Sequence, residues 1–141
     1  MSHIFSWPCR VYYEDTDAGG VVYYANYLKY LERARTEWLR QLGIEQQAWR
    51  EAQGVQFVVR RCHLDYLQPA VLDDVLHVTA VVAQYTKVRL VLQQEISRDH
   101  ADGRSATILL RAEVMCACVR VHSGRPCALP VPLIQTLMPS T

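Results

Sequence analysis

The sequence predicts an α+β fold, an antiparallel sheet wrapped around one long helix. Three observations predict it. Between residues 24 and 42, apolar side chains recur at three- and four-residue steps, the signature of one buried helix face. From residue 55 onward the hydrophobic period changes to two. Turn-forming Gly, Asp and Pro residues then divide the period-two region into four strands.

Residues 5–14 are predicted as a first strand, with Pro8 near its start, where a missing N–H does least harm. After an acidic turn, the helix over 24–42 places Tyr24, Tyr27, Leu28, Leu31, Ala34, Trp38 and Leu42 on its apolar face. Lys29, Glu32, Arg33, Glu37 and Arg40 fall opposite, with Arg33 and Glu37 spaced to pair at i,i+4. Gly43 stands where a left-handed residue ends a helix, and a short second helix over 45–53 is stopped by Gly54. Strands follow at 55–67, halted by Gln68-Pro69, and at 73–85. Val88, Leu90, Leu92 and Ile96 next alternate with Arg89, Gln93, Glu95 and Ser97, the pattern of a half-buried strand. Asp102-Gly103 signals a hairpin turn, after which Ile108, Leu110, Ala112, Val114, Cys116 and Cys118 line one face of a last long strand. From His122 the proline-rich tail reads as irregular, with at most a turn near 133–137. Residues 1–141 contain no repeat and no linker, so one domain is expected.

Composition narrows the function. A net charge of +1 lacks the clustered basic excess of a nucleic-acid binder. No stretch approaches the roughly 20 apolar residues of a membrane span, and the first ten residues lack a signal peptide's apolar core, so a cytoplasmic location is expected. The five cysteines, Cys9, Cys62, Cys116, Cys118 and Cys127, show no C-x-x-C spacing, and Cys116 and Cys118 read as small side chains buried on one face of a strand. Histidines are scattered without ligand spacing, so no metal and no cofactor is expected. A core this small leaves room for further burial in an oligomer.

Asp15, Asp17 and Gly19-Gly20 sit just before the long helix. The structural reading is a helix cap or Asx turn, with glycine supplying a positive φ. The functional reading starts from the helix N-terminus, whose unpaired N–H groups and dipole suit a negative oxygen. A carboxylate beside such donors is the equipment of acyl transfer. A cap needs one carboxylate and there are two, alternating about Thr16, so at least one points elsewhere.

The run RVYYEDTDAGGVVYYANYLKYLERARTEWL resembles the first strand and central helix of hotdog-fold acyl-CoA thioesterases. It is most similar to the Tol–Pal-associated group within the 4-hydroxybenzoyl-CoA thioesterase family, and the likeness continues at FVVRRCHLDYLQPAVLDDVL. The resemblance implies a hotdog fold and hydrolysis of an acyl-CoA thioester. It implies that Asp17, the second acid of the D-x-D pair, is catalytic, and that the backbone N–H near Tyr24 polarises the thioester carbonyl, with Gly20 beside the substrate. Tol–Pal-associated relatives usually carry His at the position of Tyr24, whereas the 4-hydroxybenzoyl-CoA enzymes carry Tyr. A homodimer or homotetramer is also implied, formed by joining sheets edge to edge, with active sites between subunits.

Asp17 could act as general base toward water or as nucleophile through a mixed anhydride. Coenzyme A brings phosphates, for which Arg60, Arg61, Lys87, Arg89 and Arg98 are candidates. Lys87 and Arg89 rank first because they flank a turn between strands. Asp15 is assigned to the turn, and Glu32 to the solvated helix face. The chain has no G-x-S-x-G elbow for a serine hydrolase. A hydratase would want a His with an acidic partner where Tyr24 stands. A non-catalytic acyl-CoA-binding or envelope-associated scaffold module uses the same features without turnover.

Overall fold

The computed structural model describes residues 4–100 and 105–137. Strand β1 (Phe5–Arg10) is shorter than the predicted 5–14. Val11 still donates its N–H to the Asp74 carbonyl at 2.9 Å, but the chain then folds into a 3₁₀ turn, Tyr13–Asp15. The cause is local. The Asp15 carboxylate accepts the Tyr12 N–H at 2.8 Å, and such side-chain bonds compete with a sheet ladder.

The long helix begins as a 3₁₀ turn, Tyr24–Asn26, and continues as α1, Tyr27–Gln41. Its buried stripe is Tyr27, Tyr30, Leu31, Ala34, Trp38 and Leu39. Tyr24 and Leu28, predicted on that face, are 63% and 45% exposed. Three residues per turn in the 3₁₀ segment put Tyr24 out of phase with the stripe, and the inclusion of Tyr30 and Leu39 turns the face away from Leu28. Glu37 pairs with Arg40 at 3.4 Å rather than with Arg33. Gly43, at φ +88°, ends the helix as predicted: it donates to Arg40 C=O at 3.0 Å while Ile44 donates to Leu39 C=O at 2.9 Å, the two bonds of a Schellman motif. Helix α2 (Gln46–Gln53) follows.

Strands β2 (Val55–Tyr66), β3 (Val75–Tyr85), β4 (Arg89–Arg98) and β5 (Thr107–Arg120) complete an antiparallel sheet of order β1-β3-β4-β5-β2. Helix α1 lies along one face. Tyr27, Tyr30, Leu31 and Ala34 pack with Leu76, Val78, Ile96 and Leu110, and Trp38 and Leu39 with Leu90, Leu92 and Cys118. This is the α+β architecture that the hotdog resemblance implies.

Two departures from regular alternation matter. Ile96 pairs with Leu110 but Ser97 pairs with Ile108, so Leu109 is an inserted residue in β5. The bulge reverses the phase of the strand: Leu109 is buried and Ile108, predicted on the core face, is only half-buried. In β2 the register shifts between Val59 and Arg61, which makes Arg60 a bulge residue on an edge strand. The predicted Asp102-Gly103 turn and Pro139 lie outside the described residues. The tail is more ordered than predicted, because residues Val131–Leu137 form a helix, α3. Leu133 anchors it by complete burial, and Pro132 falls in its first turn, where no N–H is needed. Among the described residues no helix is long and apolar enough to cross a membrane.

Candidate active site

The loop between β1 and α1 is pinned to the fold at several points. Val22 donates to Ala70 C=O at 2.9 Å, and bridges join Thr16 to Val22 and Val21 to Val71. Within the loop, Asp17 donates its N–H to Val21 C=O at 2.9 Å and Gly20 donates to Asp17 C=O at 3.0 Å. Gly20 sits at φ +83°, a conformation that strains any side-chain-bearing residue. Gly19 leaves room for the carboxylate: a Cβ there would come within 3.2 Å of Asp17 Oδ1, which would have to shift by a few tenths of an ångström.

The two acids differ sharply. Asp15 is buried at 8% exposure, its Oδ2 accepting the Tyr12 N–H, in agreement with its assignment to the turn. Asp17 is exposed, and its Oδ1 accepts the Gly19 N–H at 2.8 Å. Asp17 thus takes part in an Asx turn as well, while its Oδ2 has no hydrogen-bond partner among the described residues.

Beside this loop the helix start is left uncapped. Tyr23 precedes the first turn in an extended conformation without a side-chain cap. Its N–H goes to Asp15 C=O at 3.0 Å, and the Asn26 N–H goes to Tyr23 C=O at 2.8 Å. The N–H groups of Tyr24 and Ala25 have no partner among the described residues. Sequence reasoning missed two side chains that hold this end of the helix. Asn26 donates from Nδ2 to Asp15 C=O at 2.9 Å, and Tyr66 donates its hydroxyl to Tyr24 C=O at 2.9 Å. A polar amide in the first helical turn was the available signal for Asn26. For Tyr66 there was none, because the contact spans 42 residues.

Beneath lies a cluster of phenols. Tyr27 accepts the Ala70 N–H on its hydroxyl at 3.0 Å and packs edge-on against Tyr66 and Tyr30, with ring centroids 5.5 and 6.2 Å away. Burial, and next the adjacent Asp15 carboxylate, push the Tyr30 phenol well up. Its hydroxyl is sealed from solvent yet reaches no partner in bonding geometry. Tyr30→Phe is therefore expected to be neutral or to stabilise by up to about 1 kcal/mol, since it removes an unsatisfied buried group. A thermal melt showing a clear loss would mean that the hydroxyl does bond to Asp15.

Tyr24 is exposed and its ring leans on Tyr23 at 4.7 Å. Asp17 and Gly20 lie in the acidic loop and Tyr24 at the helix start that follows it, whereas Lys87, Arg89 and Arg60 lie away from them in the same chain. Lys87 and Arg89 are exposed at the β3–β4 hairpin. The acidic loop adjoins the start of β3, so an 11-residue strand of roughly 36 Å separates them. Arg60 lies halfway along the edge strand β2. Arg61 is exposed beside Glu113 at 3.8 Å, and Arg98, at the loop end of the sheet, is tied to Asp74 at 2.7 Å. Glu32 is exposed and accepts the Thr36 hydroxyl at 3.2 Å. A cavity of about 140 Å³ between α1 and the sheet is lined by Arg35, Trp38, Leu39, Phe57, Leu90 and Cys116.

The cysteines are all free. Cys118 and Cys127 bring their sulfurs to 3.3 Å, and burial, then the second thiol, push Cys118 up to about 12. Both belong to the core, where a thiol is inert.

An antiparallel sheet wrapped on one helix, with a carboxylate loop stapled beside an uncapped helix start, defines a hotdog-fold thioesterase. The chain belongs to the thioesterase-like superfamily, whose family model matches residues 11–137. It is 44% identical over 126 residues to the acyl-CoA thioesterase YbgC of Haemophilus influenzae, covering 89% of this chain and 88% of that protein. It is likewise 44% identical over 131 residues to the acyl-CoA thioester hydrolase YbgC of Escherichia coli O6:H1, covering 93% of each. Among solved structures, a 1,4-dihydroxy-2-naphthoyl-CoA thioesterase from Synechocystis superposes with a TM-score of 0.86 at 25% identity, covering 96% of both chains.

Proposed function

We propose that this chain hydrolyses acyl-CoA thioesters to a free acid and coenzyme A, with Asp17 supplying the attack and the Tyr24 N–H receiving the oxyanion. The carrying observation is an exposed carboxylate, held in a hydrogen-bonded turn, in the loop that leads into a helix start with unpartnered N–H groups. The two YbgC relatives, 44% identical and named for this reaction, support it. As general base, Asp17 takes a proton from water whose oxygen attacks the carbonyl carbon. As nucleophile, it forms an anhydride that water then opens. Either way the C–S bond breaks and the thiolate leaves as coenzyme A. A donor aimed at the developing oxyanion is worth roughly 2.7–4 kcal/mol. The test is thiol release from a panel of acyl-CoA thioesters. Binding without release on every member would overturn hydrolysis in favour of an acyl-CoA-binding module.

The reading extends to assembly and place. A free β2 edge exposing Val59, Arg60, Arg61 and Cys62 is a liability unless paired, which supports a homodimer or homotetramer joined through that strand. A monomeric mass at micromolar concentration would refute it. The position of Lys87, Arg89 and Arg60 away from the same chain's Asp17 fits a substrate whose nucleotide is held by a second subunit. Lys87→Ala or Arg89→Ala is expected to raise KM for a CoA thioester several-fold with little change in kcat, because a distant phosphate contact binds ground and transition states alike. A pantetheine thioester lacking the nucleotide should be indifferent, and equal losses on both substrates would remove these residues from the site. Five free cysteines suit a reducing compartment, supporting a cytoplasmic enzyme. The Tol–Pal-associated resemblance supports a role connected with the cell envelope.

A further inference from the structure

We infer that Asn26 is a positioning residue that sets the distance between the catalytic carboxylate and the oxyanion donor, by spending its amide on the acidic loop instead of on its own helix. The inference rests on the reading of Asp17 and the Tyr24 N–H given above. Tyr23 is the residue before the first helical turn, so Tyr24, Ala25 and Asn26 occupy the turn's first three positions. At the third position a carboxylate commonly reaches back to accept the N–H of the preceding cap residue. Here that N–H, from Tyr23, goes to Asp15 C=O at 3.0 Å. Asn26 sends its own amide N–H to the same oxygen at 2.9 Å.

One carbonyl therefore gathers both ends of the segment that contains Asp17, Gly20 and Tyr24. Asp15 is a fixed point for such a clamp: its side chain is buried and bonded to Tyr12 N–H at 2.8 Å. The arrangement has two consequences. The acidic loop cannot slide along the helix axis without breaking the Asn26 bond. The N–H groups of Tyr24 and Ala25 also stay open, because Tyr23, in the cap position, makes no side-chain cap bond, and the Asn26 bond holds this open end against the loop. Misplacement of reacting groups by about 1 Å costs on the order of 10²-fold in rate, so one such bond can govern turnover while contributing little to the stability of a core built elsewhere.

The discriminating variant is Asn26→Asp. Aspartate cannot donate to Asp15 C=O, yet its charge in the first turn suits the helix dipole, and it can take the Tyr23 N–H from the clamp. The fold should melt at or slightly above the parent temperature while kcat falls about 10- to 100-fold and KM for one acyl-CoA thioester changes less than threefold. Asn26→Ala, which removes the donor without adding a charge, should also lose kcat, with a melting temperature lowered by no more than a few degrees. Parental kcat in both variants overturns the clamp. Activity that falls only in proportion to a large drop in melting temperature also overturns it, since Asn26 would then be structural. Asp17→Asn measured in parallel separates the two levels: if it retains turnover, the Asp17 reading fails, whereas an inactive Asp17→Asn beside a fully active Asn26→Asp refutes only the clamp.

Discussion

Asp17→Asn is expected to abolish most turnover, by about 10²–10⁴-fold, the contribution of a positioned acid–base group, while leaving fold and assembly intact. Its side chain is exposed and makes one short bond, accepting the Gly19 N–H through Oδ1. An asparagine oxygen accepts that bond equally well, so the turn should weaken by no more than about 1 kcal/mol. The amide can neither take a proton from water nor attack a carbonyl. Substrate should therefore still bind. Asp15→Asn is the informative partner, because its carboxylate is buried, bonded to Tyr12 N–H and close to the Tyr30 hydroxyl. It should cost stability and spare most of kcat. The check is kcat and thermal unfolding of both variants under one condition. An inactive Asp15→Asn beside an active Asp17→Asn would reverse the roles, and an unfolded Asp17→Asn would make it a capping residue alone.

The parts of the fold legible in the sequence were those whose cause is local and periodic. The core of the α1 stripe (Tyr27, Leu31, Ala34 and Trp38), the Gly43 terminus and the Leu90, Leu92 and Ile96 face of β4 each depend on neighbours within a few residues and appear where expected, whereas Tyr24 and Leu28 fall outside the stripe. The errors have physical sources. A side chain bonding its own backbone, as Asp15 does, ended β1 early. A bulge at Leu109 inverted the phase of β5, and nothing in the run Ile108-Leu109-Leu110 marks which residue is extra. Leu133, completely buried against the core, turned a proline-rich tail into a helix. At the site, the acids and glycines were visible because their chemistry is confined to one loop. Tyr66 and the separation of Lys87 from Asp17 depend on strand order, which no short-range pattern encodes.

One polar residue on the apolar phase of β4 passes unnoticed in the alternation, and it carries the second large expected effect. Gln94 shares its face with Leu90, Leu92 and Ile96, and it is 1% exposed. Its amide nitrogen donates to Leu31 C=O and Thr79 C=O, both at 3.1 Å, tying α1 to β3. Its oxygen accepts from Arg35 Nη1 at 3.0 Å. Gln94→Leu fills similar space but leaves a half-buried guanidinium without this acceptor. Hydrogen bonds to charged groups contribute about 1.5–3 kcal/mol, and a stranded donor bears its full desolvation cost, so a loss of about 2–3 kcal/mol is expected. Adding Arg35→Leu should recover at least about 1 kcal/mol of it, since removing both members of a buried polar pair is often close to neutral. Urea unfolding at one fixed protein concentration reads both, with an unchanged m-value required for the comparison. If Gln94→Leu costs less than about 0.5 kcal/mol, Arg35 has found water or another acceptor. If the double variant is weaker than the single by the full cost of a second core change, the two side chains act independently, and the link between helix and sheet lies in apolar packing alone.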